Sequence, residues 1–248
     1  AEIFKNYSMS EPKMYMPDGG HHNKDLDVTN DRLEKSKSYQ DLSTIIICPT
    51  RGLIPARVVQ SWLGMMKPMN QKVIGPLFAS GMEVGQAYCA MIEMILNNPE
   101  LSKWKYILTI EEDNMPPADG LLKLYESMDT YDVVQGLYWT KGEGGQPMIY
   151  GNPKVFPKNF IPQKPIPDTV MECNGLGMGF NLFKLDIFKN PDLPKPWFKT
   201  LQEVSGGGAR SYTQDLYFFE NAAKCGYRFA VDCRIKVGHY AYDTDIVW

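Results

Sequence analysis

The segment Thr44-Ile45-Ile46-Ile47-Cys48-Pro49 is a continuous β-branched and apolar run closed by a proline. A half-buried strand alternates polar and apolar residues, whereas an unbroken run suits a strand covered on both faces, as in a parallel sheet clad by crossover helices. The residues that follow supply the cladding. Val58, Val59, Trp62, Leu63 and Met66 recur at helical spacing between Ile54 and Met66, with Pro55 in the first turn, where its missing N–H costs nothing. A strand is expected near Lys72 to Leu77, then a helix from about Val84 to Leu96 closed by Asn97-Asn98-Pro99. Trp104 to Ile110 reads as the next buried strand. Met115-Pro116-Pro117 opens a helix through Leu121, Leu122 and Leu124, and Asp132 to Leu137 is a further strand. This alternation predicts an α/β fold with a doubly wound, mostly parallel central sheet and helices on both faces. Ligands in such sheets lie beyond the carboxyl ends of the strands, the edge to which Pro49 to Arg51 and Glu111 to Asn114 belong.

At 248 residues the chain is long enough for one α/β domain with appendages. Residues 1–43, including the aperiodic Asp18-Gly19-Gly20-His21-His22, read as an N-terminal extension, and 44–248 as a single domain. Within it, 44–137 and 138–248 differ in texture and read as two halves. Lys141 to Gln146 and Val155 to Pro167, rich in Gly, Pro and Lys, read as loops over the site. Order returns at Val170 to Phe183, in a helix from about Thr213 to Cys225 and in a strand from Arg228 to Cys233. A net charge of -3 leaves no global basic field for nucleic acid or anionic membrane. The five cysteines, Cys48, Cys89, Cys173, Cys225 and Cys233, form no CxxC pair and suit reduced, cytosolic thiols. No apolar run approaches the roughly 20 residues of a membrane helix, so a soluble protein without membrane insertion is expected.

Three adjacent acids, Glu111-Glu112-Asp113, end an all-apolar strand. Carboxylates there must return to water or receive a cation. A divalent ion held against a diphosphate meets that need, because Mg2+ and Mn2+ commonly share one or two carboxylates with phosphate oxygens. A solvated loop, with charge favourable to the dipole of the next helix, accounts for the same three residues equally well.

Residues Tyr106 to Pro117, a strand ending in acid-x-Asp and followed by prolines, resemble the Asp-x-Asp segment of GT-A fold, nucleotide-sugar glycosyltransferases of the family-2-like, bacterial or viral type. A second block is similar to the same family. Thr213-Gln214-Asp215-Leu216-Tyr217-Phe218-Phe219 matches its acid-Asp-x-x-Phe helix, and Gly226, the strand up to Asp232 and Gly238-His239 match its glycine turn, strand and final Gly-His. Cys173 to Phe188, with Gly175, Gly177 and Gly179, resembles the Gly-rich segment under the donor sugar and acceptor. Pro49-Thr50-Arg51 matches in position the edge that holds the nucleobase, and Gly85-Gln86-Ala87 the helix start near base and diphosphate. Tyr138 and Trp139 could stack a sugar or base, although aromatic residues there are equally often core.

The resemblance implies a metal-dependent hexosyltransferase that moves a sugar from a nucleoside-diphosphate sugar, UDP-sugar favoured, to an acceptor hydroxyl, with 44–137 as the nucleotide-binding half and 138–248 as the acceptor-side half. It implies Mn2+ or Mg2+ on Asp113 and His239, and inversion with Asp215 as general base. Pro49, Thr50, Arg51, Gln86, Glu111, Glu112, Tyr138, Trp139 and Gly177 are the implied nucleotide-sugar-binding residues. Glu111 departs from the family's first Asp, which leaves Asp113 the better metal candidate, and Gln214 replaces an acid. Arg51 could equally bind phosphate or pair with the acidic run. The acceptor is open among a glycan, a protein, a small molecule and a modified DNA base, the last because Lys141, Lys154, Lys158 and Lys164 could form a local basic rim. The expected compartment is the cytoplasm of a bacterial cell or a virus-infected host cell. A nucleotidyltransferase-like enzyme would show a Gly-rich basic loop after the first strand, which Thr50 to Pro55 lacks. A non-catalytic nucleotide-sugar-binding module would have lost Asp113, Asp215 or His239, and all three are present.

Overall fold

Ile45 and Ile47 pack into one hydrophobic cluster and Ile46 and Cys48 into another, all four at most 2% exposed. The apolar run is therefore a strand buried on both faces, β1 (Thr44–Thr50). The computed structural model describes residues 40–205 and 208–248. Most of the expected N-terminal extension, residues 1–39 with Asp18 to His22, lies outside the described residues. Residues 40–43 belong with the domain, because Leu42 is 7% exposed within the second cluster.

The chain continues through α1 (Ala56–Leu63), β2 (Val73–Ser80), α2 (Val84–Asn97), a 3-10 turn, β3 (Tyr106–Ile110), β4 (Asn114–Met115), α3 (Gly120–Glu126), β5 (Val133–Leu137) and β6 (Ile149–Tyr150). Beyond these come β7 (Val170–Cys173), β8 (Gly175–Leu176), β9 (Phe180–Lys184), a second 3-10 turn, β10 (Leu201–Ser205), β11 (Gly208–Tyr212), α4 (Gln214–Lys224), β12 (Phe229–Lys236), β13 (Gly238–Ala241) and β14 (Ile246–Val247). A seven-stranded sheet has the order β2-β1-β3-β9-β5-β12-β7. Five of its strands run one way, while β9 and β7 run antiparallel to their neighbours. This is the mostly parallel α/β sheet that the alternation predicts. The two sequence halves interleave in it, since β9 sits between β3 and β5.

Helices α2 and α4 cover one face through Tyr88, Met91, Ile95, Phe218 and Phe219. The other face takes α3 through Leu121 and Leu124, with Trp62 of α1 packed against it. Within the first face lies a buried polar row, Thr109, Asn181 and Gln135, paired across β3, β9 and β5. Their side chains donate to the carbonyls of Met178, Gly177 and Met148 at 2.9, 2.7 and 2.8 Å, which fixes the Gly-rich segment against the sheet.

Several boundaries differ from expectation. Pro55 is the cap of α1 rather than part of its first turn, and Leu63 is 83% exposed while Met65 fills the core. Met115-Pro116-Pro117 does not open a helix: Asn114–Met115 is a strand, and α3 begins at Gly120. The cause is tertiary, since β4 pairs with β13 through Met115↔Gly238 and Asn114↔His239. Trp104 is the cap of a 3-10 turn, so β3 starts at Tyr106.

Candidate active site

The β1–β3 pairing, which includes Ile47↔Thr109, carries Pro49 to Arg51 and Glu111 to Asp113 out at one sheet edge. Glu112 turns toward β1. Its carboxylate accepts from Thr50 Oγ1 at 2.7 Å and the Arg51 backbone N–H at 2.9 Å, and is ion-paired to the Arg51 guanidinium. Burial pushes the Glu112 carboxyl up, but these donors outweigh it and hold it below its ordinary value. Of the two partners open to Arg51, its guanidinium takes the acidic run.

Asp113 turns the other way. Lys141 is ion-paired to its Oδ2, and His239 Nε2 lies 3.6 Å from the same oxygen. Burial raises the Asp113 carboxyl, while the His239 and Lys141 contacts lower it and prevail. His239 Nδ1 is 2.7 Å from the Trp139 carbonyl oxygen. A carbonyl can only accept, so Nδ1 carries the hydrogen, and this contact turns Nε2 toward Asp113. These residues meet because β13 is stitched to the acidic turn, with the Tyr240 N–H donating to the Asp113 carbonyl at 2.7 Å.

Among the described residues there is no group of three His, Cys, Asp or Glu that could hold a metal. Asp113 and His239 nevertheless fit a divalent ion of the Mn2+ or Mg2+ kind that takes its remaining ligands from phosphate and water. The oriented imidazole supports this fit. Lys141, expected on a basic rim, instead turns inward to the site.

Glu111 points along the polar row toward α2. The Tyr88 hydroxyl donates to it at 3.4 Å, and its carboxyl is raised to about 8 by burial and then by the charges of Asp113 and Asp215, against Tyr88 and Lys141. Asp215, 9% exposed in the first turn of α4, accepts from the Leu216 N–H at 2.9 Å. Burial raises its carboxyl, opposed by Thr213 and the local backbone N–H groups.

Other expected residues fall differently. Tyr138 is 1% exposed, so its ring is core and offers no stacking face. Its hydroxyl accepts from the Gly179 N–H at 2.9 Å and its ring stands edge-on to His239. A Cβ on Gly177 would lie 2.1 Å from the Tyr138 hydroxyl, so the missing side chain there admits Tyr138 rather than a ligand. Trp139 is half-buried and contributes its carbonyl to His239, and Gln86 is exposed near the start of α2, where its N–H meets Glu83 at 3.0 Å.

Sequence reasoning missed Tyr242 and Tyr88. The Tyr242 hydroxyl donates to the Glu112 carbonyl at 3.3 Å, and its ring lies 4.9 Å from the Arg51 guanidinium carbon and 5.8 Å from Lys141 Nζ. Only its place three residues beyond His239 hinted at it. Tyr88 reads in sequence as one apolar residue of a helix face.

The mostly parallel seven-stranded sheet with helices on both faces is a GT-A type α/β fold, the fold of nucleotide-sugar glycosyltransferases. Among solved structures, A197 from STIV overlays with a TM-score of 0.58 at 20% identity, covering 80% of this chain and 86% of that one. GalNAc-T7, solved with UDP, GalNAc and Mn2+, overlays with a TM-score of 0.53 at 10% identity. That overlay covers 82% of this chain and 44% of GalNAc-T7. No protein-family model and no curated protein sequence matches the chain. Among the described residues, no helix is long and apolar enough to cross a membrane.

Proposed function

We propose that this chain is a glycosyltransferase that moves a sugar from a nucleoside-diphosphate sugar, preferentially a UDP-sugar, to an acceptor hydroxyl with inversion. The observation that carries the reading is the convergence of Asp113 and the oriented His239 Nε2 at the ligand edge of the sheet, 3.6 Å apart. GalNAc-T7, which shares the fold, was solved with UDP and Mn2+, and this supports the same donor and cation class here. A bound Mn2+ or Mg2+ would supply Lewis-acid stabilisation of the diphosphate leaving group.

Asp215 is the general base. It takes the acceptor O–H proton as that oxygen bonds to the anomeric carbon, while the bond from that carbon to the phosphate oxygen breaks and its electron pair leaves with the nucleoside diphosphate. Burial and the charges of Asp113 and Asp215 push the Glu111 carboxyl up to about 8. Of the two acids Glu111 is thus held toward its protonated form, and Asp215, itself raised by burial, takes the role of base. Glu112, with Thr50 and Arg51, faces the nucleoside. The exposed Gln86, with Pro49 and Trp139, completes the proposed donor-binding set.

Lys154, Lys158 and Lys164 remain exposed on the loop after β6, and they keep a modified DNA base among the acceptors beside glycan and protein. The five unpaired cysteines suit a reducing compartment, the cytoplasm of a bacterial or virus-infected cell.

The test is calorimetric titration with a panel of UDP- and GDP-sugars, with and without Mn2+, together with slow donor hydrolysis. Binding of at least one UDP-sugar that Mn2+ strengthens is expected; binding of none under either condition would end the proposal. Asp215→Asn should keep donor affinity within a few-fold and lower transfer by about 100-fold or more, and unchanged transfer would remove Asp215 as the base.

A further inference from the structure

Lys141 lies in the loop between β5 and β6, and its ammonium is ion-paired to Asp113 Oδ2, the oxygen that also faces His239 Nε2 at 3.6 Å. A divalent ion held by Asp113 and His239 would occupy the side of the carboxylate that faces the imidazole, where the ammonium now lies. An ammonium and a metal ion repel each other and cannot both bind closely there, so one must leave when the other arrives. Glu112 is likewise occupied by Arg51, and Tyr242 lies against both cations. Both outward-facing carboxylates of the acidic run are thus neutralised from within the chain.

Two features make Lys141 the mobile partner. Its side chain is 31% exposed against 15% for Asp113, and it precedes Gly142 and Gly144, whose φ values of 97° and 77° mark an open turn with no atom within 4 Å of where a Cβ would stand. A lysine is also a point charge on a flexible stem and changes partner without the geometric demands of an arginine fork.

We infer that Lys141 is an internal counter-cation that holds Asp113 until a nucleoside diphosphate arrives, then passes to the diphosphate and releases Asp113 to the metal. The exchange replaces one carboxylate contact of Lys141 with phosphate contacts, so it proceeds only when the diphosphate is present. Metal and diphosphate then bind as a coupled pair, each tightening the other by the same factor. The inference rests on the donor reading above and adds to it an order of assembly.

The experiment measures free Mn2+ by electron paramagnetic resonance on the full chain, with and without UDP, and UDP affinity in EDTA by calorimetry. The wild type is compared with Lys141→Met and Lys141→Arg, each checked for an unchanged thermal midpoint. In the wild type, UDP should tighten Mn2+ binding by about 10-fold or more. Lys141→Met should bind Mn2+ alone about 10-fold more tightly, bind UDP in EDTA more weakly, and show a smaller coupling, with the remainder carried by the phosphate oxygens that would ligate the ion. Lys141→Arg should retain the full coupling. Equal Mn2+ affinity and equal coupling in wild type and Lys141→Met would overturn the inference while leaving the donor reading intact. Failure of the wild type to bind UDP under any condition would overturn both.

Discussion

Burial raises both the Glu111 and the Asp215 carboxyls, and the charge of Asp215 raises Glu111 further. Among the described residues the Glu111 carboxylate meets the Tyr88 hydroxyl at 3.4 Å, whereas Asp215 accepts from the Leu216 N–H at 2.9 Å in the first turn of α4. The weaker contact leaves the ionised form less favoured at Glu111. Its carboxyl is raised from 4.5 to about 8, so the folded chain holds a proton that the unfolded chain releases. The stability this gives is fully present below pH 4.5 and is lost as pH rises to about 8. Urea unfolding of metal-free protein should therefore show the midpoint of Glu111→Gln falling less than that of wild type across this window. Parallel profiles would mean that Glu111 is ionised at neutral pH. At the same scale, the close approach of Tyr138 to Gly177 and Gly179 was not visible as contact, although the glycines themselves were.

At the scale of elements, the site depends on the short ribbon β4–β13–β14 and on α1. β13 carries His239 to Asp113, and β14 backs it, with His239 and Trp248 exchanging backbone hydrogen bonds at 2.9 and 3.0 Å. Helix α1 clamps the turn after the acids: Ser61 Oγ donates to the Pro116 carbonyl at 2.8 Å and Trp62 Nε1 to the Asn114 carbonyl at 2.8 Å. Trp62→Phe keeps most of the ring packing and removes one donor to that turn. It should lower stability by about 1 kcal/mol and weaken Mn2+ binding in the presence of UDP several-fold. A variant with the expected stability loss but unchanged Mn2+ affinity would show that α1 supports the fold without positioning Asp113. Helix α1 was legible from its spacing. Its hold on the acidic turn was not, because no local pattern encodes a hydrogen bond between a helix face and a distant carbonyl.

At the scale of the whole molecule, α4 stands on an aromatic cluster that spans the sheet face. Phe218 is fully buried, with ring centroids 4.8 Å from Phe198, 5.1 Å from Phe219, 5.6 Å from Phe188 and 5.7 Å from Phe183. Phe218→Ala should cost about 3–5 kcal/mol, read by urea unfolding, and reduce transfer more than donor binding, because the cavity forms beneath the helix that carries Asp215. Equal losses in both would assign the cluster a purely structural role. The sequence alone determined the strand-helix alternation, the strand buried on both faces and the acidic edge, since these rest on local periodicity and short-range spacing, while the blocks around Asp215 and His239 stood out by their resemblance to a glycosyltransferase family. Tertiary structure decided the insertion of β9 between β3 and β5, the strand in place of a helix start at Asn114–Met115, the burial of Tyr138 and the pairings of Lys141 and Tyr242 with the site. Each of these depends on partners far apart in the chain, whose meeting is fixed by the closing of the whole sheet and not by the residues beside them.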